Sequence, residues 1–240
     1  MKQKQSSAEI FNQDVNSNSG YKYTTKASLS SELANLRLTL ATLEICDLNG
    51  KKVVDIGCGD GTYTMELFLR GGVDSIHGID PAGNAIKIAQ QRTANQRIVF
   101  DLQSGEKLNY ASDSFDIAHL RGVLHHVGDP IHVLREALRV APTVVVIEPN
   151  GYNPVLKLLE MFSLYHREHK EKSFSSLRLH RWINQIGGKV CTGRYAGFVP
   201  FFCPDRLAQI LKAVEPVVER LPVINVLCCA VYVFVIKRVR

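Results

Sequence analysis

The stretch KKVVDIGCGDGTYT, residues 51–64, constrains the chain more than any other. A short apolar run over 52–56 carries Asp55 near its end, and glycines follow at 57, 59 and 61. Such a run reads as a buried strand. The residues after Gly61 read as a helix over 61–70, stopped by Gly71-Gly72. Glycine between them permits positive φ and lets a ligand come close to the backbone. In an open parallel sheet, ligands bind beyond the carboxyl ends of the strands, which is where this turn lies. The helix points its first N–H groups and its dipole at whatever sits above.

The same rhythm repeats downstream. Residues 75–79 read as a strand ending in Asp80-Pro81, 83–94 as a helix, and 98–100 as a strand ending in Asp101. Residues 115–120 read as a strand, 131–140 as a helix, and 143–147 as a strand ending in Glu148-Pro149. This alternation predicts an α/β fold, a doubly wound and mostly parallel sheet with right-handed crossovers. Upstream, Leu33, Leu36, Leu40 and Leu43 predict an amphipathic helix over 30–46. Past Glu148, helices over 153–165 and 177–186 flank the charged patch HREHKEKS. A strand over 189–199, a helix over 204–220 and a last strand over 231–236 follow. Residues 1–26, rich in Lys, Gln, Asn and Ser, read as a flexible arm. Residues 27–240 read as a single domain.

Several function classes drop out. No apolar leader follows the first lysines, so no secretory signal is expected. The apolar run 221–236 is broken by Pro222 and Asn225 and reads as a buried strand and its approach, not a membrane span. Six cysteines show no C-x-x-C spacing, so no metal site is expected, and six free thiols suit a reducing cytoplasm. Cys228 and Cys229 would alternate faces on a strand. Residues 151–240 hold fourteen Lys and Arg against six Asp and Glu. That excess suits an anionic acceptor, peripheral contact with an acidic membrane, nucleic acid held through diffuse charge, or simply a solvated basic surface. No aromatic–basic interleaving of the RNA-binding kind is present, so no specific nucleic-acid partner is expected.

The three aspartates at successive strand ends bear on the ligand. A dinucleotide site wants G-x-G-x-x-G/A, whereas Thr62 stands where the small residue belongs. Asp55 would set a carboxylate beside a pyrophosphate and suits a ligand with a cationic amino group instead. Asp80 can accept two ribose hydroxyls, and Asp101 can meet an adenine edge. Each has an alternative as a local cap or turn residue.

Together, VVDIGCGDG, IHGIDP, IVFDLQSGEKLNYASDSFDIAHLRGVLHHVGDP and VVVIEPNGYNPV resemble the class I S-adenosylmethionine-dependent methyltransferases. Within them the chain is most similar to the branch containing the ubiquinone and menaquinone methyltransferases. The resemblance covers about residues 30–150 closely and the remainder by architecture. It implies a Rossmann-like seven-stranded sheet whose antiparallel last strand, 231–236, inserts between the fifth and sixth. It also implies S-adenosylmethionine as cofactor, with Asp55, Gly57, Cys58 and Gly59 at the methionine end. Asp80 would hold the ribose, Pro81 or Ala82 would flank the adenine, and Asp101 and Leu102 would contact it. The segment from His119 to Arg121 would pass under the methionine moiety, Arg121 pairing with its carboxylate. The insertion 150–188 would cap a small-molecule or lipid-type acceptor.

Methyl transfer needs a general base only when the acceptor must lose a proton. His125 and His126, after the fourth strand, are the candidates, with local packing as the alternative. His166, Arg167, His169, Lys170, Lys172, Arg178, His180 and Arg181 would greet an anionic acceptor, unless they only form a solvated face. Tyr21 and Tyr23 would close over the site as a lid, unless the arm stays free. Two rivals stand: a catalytically silent methyltransferase-like binding protein, and a nicotinamide-dependent oxidoreductase, which Thr62 and Asp55 disfavour.

Overall fold

The computed structural model describes residues 28–162 and 172–239. The expected arm with Tyr21 and Tyr23, and His166, Arg167, His169 and Lys170 of the basic cluster, lie outside them. Described helices are α1 (Leu29–Ile45), α2 (Thr62–Gly71), α3 (Gly83–Gln91), α4 (Pro130–Val140), α5 (Pro154–Phe162), α6 (Ser176–Gln185), α7 (Asp205–Arg220) and α8 (Ile224–Cys228). Strands are β1 (Lys52–Ile56), β2 (Ser75–Asp80), β3 (Ile98–Leu102), β4 (Ile117–Arg121), β5 (Thr143–Pro149), β6 (Gly188–Ala196) and β7 (Val231–Arg238).

The strands form one sheet in the order β3-β2-β1-β4-β5-β7-β6. The first five are parallel, and β7 runs antiparallel to both β5 and β6. The chain winds outward from β1 to β3, then crosses back so that β4 pairs with the other side of β1. That reversal is the switch point, and it opens a crevice above β1 and β4. One face packs Val54, Leu120 and Val146 against Leu134 of α4 and Ile183 of α6. The other packs Val53, Ile76 and Val145 against Leu67 and Phe68 of α2 and Ile86 of α3. β-branched residues therefore run through the centre of a sheet covered on both sides, as parallel sheets require.

Two expectations need correcting. The helix over 30–46 exists, but Leu33, Leu36, Leu40 and Leu43 are only partly buried. Its fully buried residues include Ala34, Asn35, Arg37, Leu38 and Thr39. The cause is side-chain bonding: Arg37 pairs with Glu219 of α7, and Thr39 bonds Glu66 of α2. The apolar run 221–236 is, as read, a buried strand, β7, with its approach, the exposed α8, and no described helix is long and apolar enough to cross a membrane. Cys228 and Cys229 close α8 and do not lie on a strand: Cys229 N–H donates to Asn225 O, and β7 starts only at Val231.

Candidate functional site

Because β1 to β5 are parallel, their carboxyl ends share one edge of the sheet. Asp55, Asp80, Asp101, Arg121 and Glu148 all belong to it. The glycine turn sits at its centre. Gly57, Gly59 and Gly61 have φ of +78°, +56° and +76°. A Cβ on Gly57 would lie 2.5 Å from Val123 Cγ2, and one on Gly61 would lie 2.6 Å from Phe100 Cζ. Both positions therefore exclude a side chain twice over, by conformation and by space.

The turn's donors are used within the protein. Gly57 and Cys58 N–H both donate to Ile79 O, at 2.8 and 3.0 Å, Gly61 N–H to Cys58 O, and Thr62 N–H to Asp60 Oδ1. Gly59 N–H donates to Asp80 Oδ2 at 3.0 Å. These five donors are thus spent within the protein rather than offered to a ligand. Three carboxylates are buried around the turn, Asp55, Asp60 and Asp80, of which Asp60 is paired with Arg92 Nη1 at 3.1 Å. That environment repels a polyanion and favours a cation.

Asp55 lies beneath the turn. Its Oδ2 accepts from Thr64 Oγ1, and its Oδ1 lies 2.7 Å from His119 Nδ1. His119 is buried, and its Nε2 has no hydrogen-bond partner among the described residues. Asp80 holds the turn to the next helix: Oδ1 accepts from Ala82 N–H at 2.8 Å while Oδ2 accepts from Gly59. Burial raises its carboxyl to about 6 against those two donors, and Asp55 and Asp60 add to the rise. The same cause keeps the Cys58 thiol protonated: burial first, then Asp80 and Asp55, push it well above its ordinary value. Cys58 is therefore no nucleophile.

Asp101 and Leu102 sit beside β2, in register with Ile79 and Asp80. Leu102 and Pro81 are exposed at the rim. Arg121 reaches the other way. Its guanidinium donates to Asn35 O, Asn35 Oδ1 and Thr39 Oγ1, and it lies 3.8 Å from the centre of the Tyr63 ring.

Glu148 was visible in the sequence only as one more acidic strand end. It is fully buried. Its Oε1 accepts the N–H groups of Val123 and Leu124, and its Oε2 lies 2.8 Å from His125 Nδ1. His126 rests against His125, ring centres 3.9 Å apart. Of the expected basic cluster in the insertion, Lys172 and Arg181 are exposed, His180 Nε2 meets Tyr232 OH at 2.9 Å, and Arg178 lies over Phe174 and Trp182.

A model of the methyltransferase domain matches residues 47–177, which takes in this whole edge. The chain belongs to that methyltransferase family. S-adenosylmethionine is the cofactor that goes with this membership. Among curated relatives, the methyltransferase is 30% identical over 138 residues to 27-O-demethylrifamycin SV methyltransferase of Amycolatopsis mediterranei, 55% of this chain and 50% of that one. It is 37% identical over 100 residues to tRNA U34 carboxymethyltransferase of Helicobacter hepaticus, 38% of this chain and 31% of that one. It is 34% identical over 106 residues to ubiquinone biosynthesis O-methyltransferase of Chromobacterium violaceum, 43% and 42%. The chain thus spans half or less of the length of these relatives. Its fold matches magnesium protoporphyrin IX methyltransferase of Synechocystis, solved with bound S-adenosylmethionine, at a TM-score of 0.65, 11% identity and full coverage of both chains.

The residues present fit that cofactor. Asp80 offers a carboxylate for paired hydroxyls, and His119 Nε2 is a buried polar atom with no partner among the described residues.

Proposed function

We propose that this methyltransferase acts on a hydroxyl of a small-molecule or lipid-type acceptor, with His125 as general base. The carrying observation is the 2.8 Å contact between His125 Nδ1 and Glu148 Oε2. A carboxylate accepts only, so it fixes the proton on Nδ1 and leaves the basic lone pair on Nε2. Glu148 is itself locked by two backbone donors, so the ring is held in one orientation. His125 Nε2 takes the acceptor's hydroxyl proton as the oxygen attacks. When bound, S-adenosylmethionine supplies a methyl group on cationic sulfur, which is already activated. The chain's task is alignment and exclusion of water.

In this reading Gly57, Cys58 and Gly59 form the cofactor cradle, Asp80 accepts the ribose hydroxyls, and Pro81, Asp101 and Leu102 surround the adenine. Asp55 adds negative charge beneath the sulfonium end. Arg121 borders the methionine end through α1 and Tyr63, and His126 walls the base. The segments 150–162 and 172–188 cap the acceptor. The O-methyltransferases among the relatives support a hydroxyl acceptor, while the tRNA carboxymethyltransferase keeps a nucleic-acid acceptor as the competitor.

The test is methyl transfer from radiolabelled S-adenosylmethionine to a panel of phenols, quinols and bulk tRNA, paired with calorimetric titration of S-adenosylhomocysteine. The expected result is labelled phenol or quinol, lost in His125→Ala with S-adenosylhomocysteine binding intact. Label in tRNA alone, or full activity in His125→Ala, overturns the reading.

A further inference from the structure

Helix α7 is built inside out. Its buried residues are Ala208, Glu215 and Glu219. Leu207, Ile210, Val214, Val217 and Leu221 face outward instead, each between 42% and 62% exposed. The inward carboxylates have work there. Glu215 accepts Phe198 N–H and pairs with Lys212, and Glu219 accepts Gly197 N–H and pairs with Arg37 and Arg194. The outward residues recur at spacings of three and four, so they form one continuous stripe. α8 prolongs the apolar surface with exposed Val223, Ile224 and Leu227. A contiguous aliphatic surface of this kind marks an interaction site.

Charge selects the occupant. Arg206 and Arg220 are exposed, and with Ala213 they recur every seven residues, so they run along one edge of the stripe. Two of the helix's three acidic residues are turned inward, leaving Asp205 at its start. An aliphatic stripe with a cationic edge matches an anionic bilayer: the side chains enter the acyl boundary while the arginines stay at the headgroups. A second copy fits less well. Antiparallel pairing of two such stripes would set the arginine edge of one helix against that of the other, and like charges there repel.

We propose that the α7–α8 face docks this protein peripherally on an anionic lipid bilayer. The surface also adjoins the acceptor side of the site. Asn150, two residues beyond Glu148, donates to Val226 O and Cys229 O, and Asn153 donates to Cys228 O. A bilayer on α8 therefore lies next to the loop that follows Glu148. The inference stands on this surface and not on which acceptor is methylated.

The experiment is vesicle co-sedimentation of the full chain with phosphatidylcholine alone and with phosphatidylcholine containing phosphatidylglycerol, alongside light scattering in solution. The expected result is at least tenfold stronger binding to the anionic vesicles. Ile210→Ser/Val217→Ser should reduce it tenfold with an unchanged melting temperature. Arg206→Glu/Arg220→Glu, or a rise in salt, should reduce it severalfold. Absence of binding to anionic vesicles, undiminished binding by both double variants, or a dimer in solution that Ile210→Ser/Val217→Ser converts to monomer would overturn the proposal.

Discussion

Glu148 binds two different things with its two oxygens: the backbone of Val123 and Leu124 through Oε1, and the His125 ring through Oε2 at 2.8 Å. The end of β5 thereby dictates both the path of the loop after β4 and the tautomer of its histidine.

Glu148→Gln tests that coupling. The amide oxygen can still accept the two backbone N–H groups, but the NH2 would then face His125 and drive its proton to Nε2. Turnover should fall about 10²- to 10⁴-fold, the range of a general base. S-adenosylhomocysteine affinity should stay within about twofold, since the change touches no group placed against the cofactor. Single-turnover methyl transfer and calorimetry together check it.

Asp80→Ala should weaken cofactor binding and also destabilise the fold. A surface-facing strand end would predict affinity loss alone, but Asp80 is 8% exposed and satisfies Gly59 and Ala82. Leaving the buried Ala82 N–H unpaired costs about 1–3 kcal/mol, and losing the part-buried Gly59 bond adds to it. Thermal melting of the unliganded protein reads that cost, and calorimetry reads the affinity.

The raised Asp80 carboxyl makes cofactor binding sensitive to pH. Ribose hydroxyls donate to the ionised form, so binding should be constant above about pH 7. As pH falls through about 6, it should weaken toward about tenfold per unit. Stability of the unliganded protein runs the opposite way. The folded state keeps this proton up to about 6 and the unfolded chain only to 3.8. Asp80's contribution therefore declines as pH rises between those values. Titration of S-adenosylhomocysteine from pH 5 to 8 in wild type and Asp80→Asn separates this group from other carboxylates.

Gly61→Ala and Gly50→Ala separate crowding from backbone strain. Both glycines have positive φ, +76° and +66°. Alanine at 61 would meet Phe100 and Ala89, whereas at 50 it would meet nothing within 4 Å. Gly50→Ala should cost about 1–2 kcal/mol of left-handed strain. Gly61→Ala should cost about 2–5 kcal/mol once overpacking is added. Denaturant unfolding of the two variants gives the difference.

The fold was largely legible because each parallel strand is covered on both faces and so reads as an unbroken apolar run: Val53-Val54 in β1, Val144 to Ile147 in β5. The aspartates and glycines that punctuate those runs placed the site's edge. What pattern reading missed has one physical origin, namely polar side chains that bond across long sequence separations. Asn35, Arg37 and Thr39 are buried in α1 because Arg121, Glu219 and Glu66 meet them. Glu215 and Glu219 turn inward because α7 packs on cationic and N–H partners, which a rule of apolar-in cannot foresee. Glu148 lies 23 residues beyond His125, and spacing alone does not join them.

Strand β7 has a consequence for how the chain is made. It pairs with β5 along seven residue pairs, from Thr143 with Lys237 to Pro149 with Val231. About eighty residues of synthesis separate the two strands. At about 5–20 residues per second, the open edge of β5 waits several seconds on the ribosome for its neighbour. During that wait the nascent half-sheet presents unpaired backbone beside a Val-Val-Val-Ile run, a sticky template for other chains. Holding nascent polypeptides apart, by chaperone or by slow expression, should matter more for this protein's yield than its finished stability does.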